Sequence, residues 1–242
     1  KEHLQKVKNG ERTFENAFQS VTRMILEDEF EKVTVNGKTT YDFKIFRKGK
    51  KHIIGMYDEI NSFVSYVKDA SEGGSSKEMA FVLVGEPGNG KTFFVDFLCN
   101  KYREFLTREK NAKYTFKFNH LDKLQTYGRI HSIESQTYED PMVLAMNLYD
   151  DPEENKNFLS NEIGFTDKEI DNIYEDYRPL GACSGYIWND IKTLTNGNIE
   201  QALEFIEISP VPIIESLGTI TGKYPAKDKI TSSAVDLLVA ES

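Results

Sequence analysis

Residues 85–92 read Gly85-Glu86-Pro87-Gly88-Asn89-Gly90-Lys91-Thr92, and they match the phosphate-binding pattern G-x-x-x-x-G-K-[ST] at every fixed position. Glycines lack Cβ atoms, so backbone N–H groups can converge on an anion there. The lysine supplies a cation for the β- and γ-phosphates, and the threonine hydroxyl is a ligand for Mg²⁺. The sequence therefore predicts a site for ATP and Mg²⁺, with Lys91 as the catalytic residue and Thr92 as the metal ligand.

The residues on either side of this loop fit the same interpretation. Residues 80–84, AFVLV, form a short apolar run of the kind found in strands that are buried on both faces of a parallel sheet. Behind the loop, Phe94, Phe97, Leu98 and Phe105 recur at near-helical spacing, which predicts a helix over residues 91–108. We therefore expect an α/β fold of the P-loop NTPase class, a parallel sheet with flanking helices.

The bulk composition narrows the classes of protein and partner. The chain has 242 residues, of which 39% are hydrophobic, so it can fill a core. No apolar run approaches the roughly twenty residues of a membrane span, and the polar first residues show no signal peptide. Two distant cysteines and four scattered histidines make no metal pattern. These features favour a cytoplasmic protein without a membrane partner, with Cys99 as a small buried thiol.

Charge is unevenly spread along the chain, whose net charge is −9. Between residues 139 and 176, twelve acidic side chains stand against Lys156 and Lys168, so this stretch carries about −10. There is no basic stripe with interleaved aromatics, which argues against a nucleic acid partner. The acidic stretch is either a solvated surface or a docking face for a basic partner.

Periodicity and turn chemistry predict further elements before the loop. We expect a helix over residues 13–28 with Thr13 as its N-cap, a hairpin with an Asn-Gly turn over 33–41, and a second helix over 57–70. Residues 44–51 are basic and are expected to be exposed. Residues 71–76 are expected to form a flexible link.

Fewer elements can be predicted behind the loop. We expect a strand over residues 114–118, a loop over 123–139, a short apolar segment over 142–149 and a helix over 198–206. Thr166-Asp167-Lys168-Glu169 is a capping-box pattern that predicts a helix start. From residue 209 onward, three prolines indicate a loop-rich region.

One half of a catalytic site is missing from this pattern. P-loop NTPases also need an acidic residue at the end of a second buried strand, which holds Mg²⁺ and orients water. Residues 203–207 and 116–122 are too polar for that strand, and residues 235–241 lie at the terminus. We therefore expect an incomplete sheet in this chain, which would bind ATP but hydrolyse it poorly.

Several segments, taken in order, resemble the PrkA family of bacterial serine protein kinases, whose N-terminal domain is an AAA ATPase. Residues 53–60, IIGMYDEI, are similar to that family's FYGMEE segment, and residues 139–142, EDPM, to its hEdPL element. Residues 218–231 resemble its GTFxPxDxKNQD region. The likeness runs over almost the whole chain, although only the phosphate loop is specific by itself.

The resemblance implies an AAA-type domain that is completed beyond Ser242 by a Walker B acid, sensors, an arginine finger and a kinase-like domain. It implies a protein substrate and a homo-oligomer, and it places Ile53, Ile54 and Gly55 beside the adenine, although these three could equally be core residues. Two features depart from the family. The loop reads GEPGNGKT where the family has GPVGGGKS, and one cysteine, Cys183, stands where the family often has a pair.

The corresponding domain prediction is an N-terminal helical segment and hairpin over residues 1–50, followed by an AAA-type ATP-binding domain over 51–242 with an acidic insertion at 139–176. The predicted function is ATP binding in a PrkA-like serine protein kinase. Two alternatives remain open. One is an AAA machine that remodels or helps degrade protein partners, and the other is a nucleotide-gated binding module without turnover.

Overall fold

A computed structural model describes residues 1–86 and 88–213 of the chain. It is 51% helical and contains two small antiparallel sheets, with strand orders β1-β2 and β4-β3-β5. The strands are β1 (Phe30–Val35), β2 (Lys38–Phe43), β3 (Tyr114–Phe118), β4 (Ile133–Glu134) and β5 (Ile206–Pro210). The α-helices are α1 (Glu2–Lys8), α2 (Ala17–Leu26), α3 (Tyr57–Ser71), α4 (Lys91–Leu106), α5 (Pro141–Ala145), α6 (Pro152–Asn157), α7 (Asp167–Glu175), α8 (Ala182–Leu194) and α9 (Ile199–Leu203).

The chain folds into two compact units. The first, here called the cleft unit, combines Lys1–Phe14 with Arg108–Pro212. The second, here called the loop unit, contains Glu15–Thr107 and therefore the phosphate-binding pattern. Short 3₁₀ turns and one π-helical turn connect the main elements: Lys44–Arg47, Ser75–Glu78, Glu109–Asn111, Leu121–Lys123, Gln125–Tyr127 and the π turn Phe158–Ile163.

The N-terminal half of the loop unit follows its local sequence signals closely. Strands β1 and β2 pair as the predicted hairpin, and Asn36 and Gly37 turn the chain with φ values of 50° and 75°. Both positive angles belong to the turn type that Asn-Gly favours. Helix α2 also forms, but its N-cap is Asn16, in a capping box with Gln19, rather than Thr13.

The core of the loop unit is built from aromatic side chains of α3, α4 and the turn behind β2. Phe94 stacks on Phe46, with ring centroids 5.9 Å apart, and meets Phe63 edge-on at 5.5 Å. All three are almost completely buried. The residues that predicted α4 as an amphipathic helix therefore do face the core, and Cys99 is a buried thiol as expected.

The predicted P-loop NTPase sheet is wrong. Residues 80–84 form no regular secondary structure and pair with no strand among the described residues, and both sheets of the described part are antiparallel. Phe81 and Leu83 pack on the core, whereas the side chains of Val82 and Val84 are 53% and 90% exposed. An apolar run is compatible with burial on two faces, but that burial needs neighbouring strands at its edges and helices that cover both faces of the sheet.

The sheet of the cleft unit is built around β3. Strand β5 runs antiparallel to it in the register Phe116↔Ile208, and β4 adds two residues on the other edge. Phe116 and Phe118 are fully buried against the helices. The prediction for β3 is confirmed. By contrast, the predicted helix over residues 198–206 ends at Leu203, and the following residues form β5 instead of a loop.

Side-chain caps set several helix starts in the cleft unit. Thr166 and Glu169 form the predicted capping box at the start of α7. Asp140 caps α5 by accepting a hydrogen bond of 2.8 Å from the backbone N–H of Met142. Helix α8 was not predicted, although its Trp188 is 1% exposed and donates its indole N–H to the carbonyl of Leu148 at 3.1 Å.

Throughout residues 1–86 and 88–213, the helices fall short of the length and apolar character that a membrane crossing needs.

Candidate functional site

The candidate site is the loop that leads into helix α4. The helix starts at Lys91, directly behind Gly90, which has φ of 79°, and Gly88 has φ of 90°. Both angles lie in the left-handed region, where a side chain would strain the backbone. Because the N-cap is a glycine, it offers no side chain to the first N–H groups of the helix. These donors and the helix dipole therefore create a local preference for an anion.

The side chain of Lys91, the first residue of helix α4, contacts the loop that precedes the helix. Its Nζ atom donates to the carbonyl oxygens of Gly85, at 2.5 Å, and Glu86, at 3.0 Å. A Cβ atom built on Gly85 would lie 3.8 Å from the same Nζ atom, so the lysine and the first glycine of the pattern are close neighbours. The ammonium group thus lies against the loop backbone, next to the position that the sequence pattern predicts for a phosphate.

The other loop residues are open to solvent. Glu86, Gly88, Asn89 and Thr92 are exposed, and the Thr92 hydroxyl can therefore reach a ligand from outside. Pro87 lies outside the described residues. A site of this kind holds Mg²⁺ through phosphate oxygens and water with one protein hydroxyl, so a single exposed threonine fits it. Among the described residues, no group of three or more His, Cys, Asp or Glu side chains could hold a metal ion by itself.

The three residues predicted to border adenine have different environments. Ile53 is 2% exposed and belongs to the core of the loop unit, whereas Ile54 is 83% exposed. Gly55 has φ of 67° and stands just before helix α3. The structure therefore leaves Ile54 and the backbone of Gly55 as the parts of this segment that an adenine could contact.

Arg47 holds this segment in place, a role that the sequence did not indicate. Its Nη1 atom donates to the carbonyls of Ile53 and Gly55, each at 2.8 Å, and its Nε atom donates to Asp42 at 2.8 Å. Its guanidinium also lies 4.6 Å from the ring centroid of Tyr57. The basic stretch 44–51 was expected to be exposed, but Ile45 and Phe46 are buried and draw Arg47 inward with them.

This arrangement lowers the pKa of Asp42, the carboxylate partner of Arg47. Burial acts to raise the pKa of Asp42, but hydrogen bonds from Arg47 and Lys44 outweigh it and hold the pKa below its ordinary value. Asp42 is therefore charged at neutral pH. The Asp42–Arg47 pair acts as a fixed clamp on residues 53–55.

Three acidic residues belong to the segments that were candidates for the second catalytic strand. Glu204 lies just behind α9, and Glu207 lies on β5, where it pairs with Lys117 at 3.0 Å. Asp122 sits in a 3₁₀ turn and pairs with His131 at 3.1 Å. All three belong to the cleft unit, and the last candidate segment, residues 235–241, lies outside the described residues. None of the three ends a buried parallel strand.

No family model matches this chain, and no curated protein and no solved structure is significantly similar to it.

Proposed function

We propose that the loop at residues 85–92 binds the phosphates of ATP or ADP. The observation that carries this proposal is the position of the Lys91 ammonium group inside a glycine loop at the start of a sixteen-residue helix. A cation, free backbone donors and a helix N-terminus converge there, and each favours an anion. The complete sequence pattern supports a nucleotide as the source of that anion.

In this proposal each residue has a distinct role. On binding, Lys91 exchanges its two carbonyl acceptors for phosphate oxygens, which form stronger, charge-assisted hydrogen bonds. The backbone N–H groups of Gly88 to Thr92 surround the β-phosphate. The Thr92 hydroxyl and the phosphates hold Mg²⁺, which neutralises charge on the β- and γ-oxygens when it is bound.

The resemblance to PrkA-type proteins supports a wider proposal. In it, the chain supplies the ATP-binding part of a cytoplasmic serine protein kinase that acts on a protein substrate as a homo-oligomer. Hydrolysis or phosphotransfer is an in-line attack on the γ-phosphate, with Lys91 neutralising the developing charge. Incorporation of labelled phosphate into serine would favour the kinase, whereas release of free phosphate alone would favour an AAA remodelling machine.

A titration of ATP with Mg²⁺ tests the binding proposal directly. Lys91→Ala removes the cation, so we expect the affinity measured by calorimetry to fall by about ten- to a hundredfold, the equivalent of one charge-assisted hydrogen bond. Helical content should not change, because the hydrogen bonds of the Lys91 ammonium group run to loop carbonyls and not to the helix.

A matched control uses Lys77→Ala. Lys77 is an exposed lysine of the same unit, so this variant makes the same change of charge outside the loop. It should bind ATP like the parent chain. If Lys91→Ala also bound ATP with unchanged affinity, the proposal would be rejected.

A further inference from the structure

The cleft unit contains a second candidate site that is independent of the phosphate loop. A cleft of about 290 Å³ opens between the end of α5, the start of α6 and the exposed side of α8. Its walls include the apolar side chains of Met146, Leu180 and Trp188. A volume near the lower end of those seen for ligand pockets suits a small molecule.

The charged members of the cleft wall are Lys192 and Asp150. The Lys192 side chain is 15% exposed, and its Nζ atom donates to Asp150 at 2.7 Å. Asp150, in contrast, is 95% exposed. The ammonium group is therefore tied to the wall, while its counter-ion is held from the solvent side and can be hydrated at little cost when it leaves.

The remaining polar groups of the cleft divide into committed and free groups. Asn155 is committed, because its amide pairs with both the N–H and the carbonyl of Tyr149, at 2.7 and 3.0 Å. Asn147 donates to the carbonyls of Val143 and Arg178. The Asn189 side chain is exposed and has no hydrogen-bond partner among the described residues. Beside its apolar wall, the cleft thus presents the Lys192–Asp150 ion pair and the exposed amide of Asn189.

We propose that this cleft binds a small carboxylate with an apolar body. The ligand carboxylate takes the position of the Asp150 carboxylate on Lys192. The apolar body lies against Leu180 and the Tyr177 ring, next to the buried side chains of Met146 and Trp188, which also line the cleft. The exposed carboxylates around the cleft oppose an anion, but water and salt weaken their effect, whereas Lys192 is in direct contact with the bound carboxylate. Because of this direct contact with Lys192, we expect the cleft to prefer an anion over a cation.

Three probes with the same apolar body distinguish the charge that the cleft accepts: 3-phenylpropionate, its amide and 3-phenylpropylamine. Trp188 is the only tryptophan of the chain, so its fluorescence reports on this wall alone. We expect saturable fluorescence changes with the carboxylate and at least tenfold weaker binding of the amide and the amine. Equal binding of all three, preference for the amine, or no saturable change would overturn the proposal.

Substitutions in the Lys192–Asp150 ion pair test whether the cleft prefers a negatively charged ligand. Lys192→Met keeps the aliphatic stem and should weaken the binding of 3-phenylpropionate at least tenfold. Asp150→Asn removes the competing counter-ion and should tighten it about threefold or more. Glu154→Gln, at an exposed position of α6, makes the same charge change outside the cleft wall and should have little effect. Weaker binding in Asp150→Asn would contradict the exchange of carboxylates.

Filling the cleft provides a second measurement that does not depend on charge. A Cβ atom built on Gly185, in helix α8, meets only the Leu180 Cβ atom, at an ordinary 3.8 Å. Gly185→Met should therefore fold and place its side chain in the cleft, with loss of 3-phenylpropionate binding. A folded Gly185→Met variant that binds the probe like the parent chain would show that the probe binds elsewhere.

Discussion

His3 makes the stability of the cleft unit sensitive to acid. It is 4% exposed, and its Nδ1 atom lies 2.8 Å from Nη1 of Arg12. Arginine can only donate, so Nδ1 must accept and the ring must be neutral, with its proton on Nε2. That Nε2 atom is buried and has no hydrogen-bond partner among the described residues. A second proton would thus place an unpaired charge beside a guanidinium.

The pKa of His3 reflects both effects. Burial, followed by the positive charge of Arg12, lowers this pKa from 6.5 to about 4. The unfolded chain therefore takes up a proton near pH 6.5, whereas the folded chain resists protonation until about pH 4. The stability contributed by neutral His3 is present above pH 6.5 and is lost as the pH falls toward 4. Between pH 7.5 and 5, the two pKa values correspond to a loss of about 2 kcal/mol.

Urea unfolding at pH 7.5 and pH 5, followed by circular dichroism, measures this loss. We expect His3→Gln, which cannot be protonated, to lose about 2 kcal/mol less than the parent chain over that interval. The comparison between variants is needed because Asp140 acts with the opposite sign. Burial raises its pKa to about 6, so its contribution improves as the solution is acidified.

His131→Gln is the matched control for this experiment. His131 is a histidine of the same unit whose side chain is 80% exposed, so its replacement shows the effect of losing a histidine that lacks both the burial and the Arg12 contact of His3. If the parent chain and His3→Gln lost the same stability between pH 7.5 and 5, the argument from burial and Arg12 would be refuted.

Two further predictions concern local backbone and caps. Gly90→Ala should destabilise the loop unit by about 1–2 kcal/mol in thermal unfolding, because φ is 79° although a Cβ would meet no atom within 4 Å. The same change at Gly185, in a helix interior, should instead be neutral or stabilising, and equal effects would contradict the reasoning. Thr166→Ala should cost about 1 kcal/mol through loss of the α7 capping box, whereas Thr166→Ser should restore most of it.

Elements with complete short-range signals were predictable. The Asn36-Gly37 hairpin, helix α4 and the Thr166–Glu169 cap each depend on residues within a few positions of one another, and all three are confirmed. Helix α8 was missed because its N-cap is Gly181, which has no side chain to signal a helix start. Strand β5 was missed because its pairing with β3 joins residues about ninety positions apart.

The same difference between local signals and contacts of distant residues holds for the two candidate sites. The pattern at residues 85–92 predicted a glycine loop that leads into a helix, and helix α4 does start at Lys91, whereas phosphate binding stays a prediction. The sequence could not reveal that Arg47 would turn inward to hold Ile53 and Gly55. Nor could it reveal that Lys192 and Asp150, 42 positions apart, would meet at a cleft.

By itself, the sequence determined where the chain turns, where a cap starts a helix and where a glycine loop leads into a helix, because these properties depend on local backbone freedom and nearby donors. Only the tertiary structure decided which apolar runs are buried. Residues 80–84 have the composition of a buried strand, yet Val84 is 90% exposed, because burial and strand pairing need partners from distant parts of the chain.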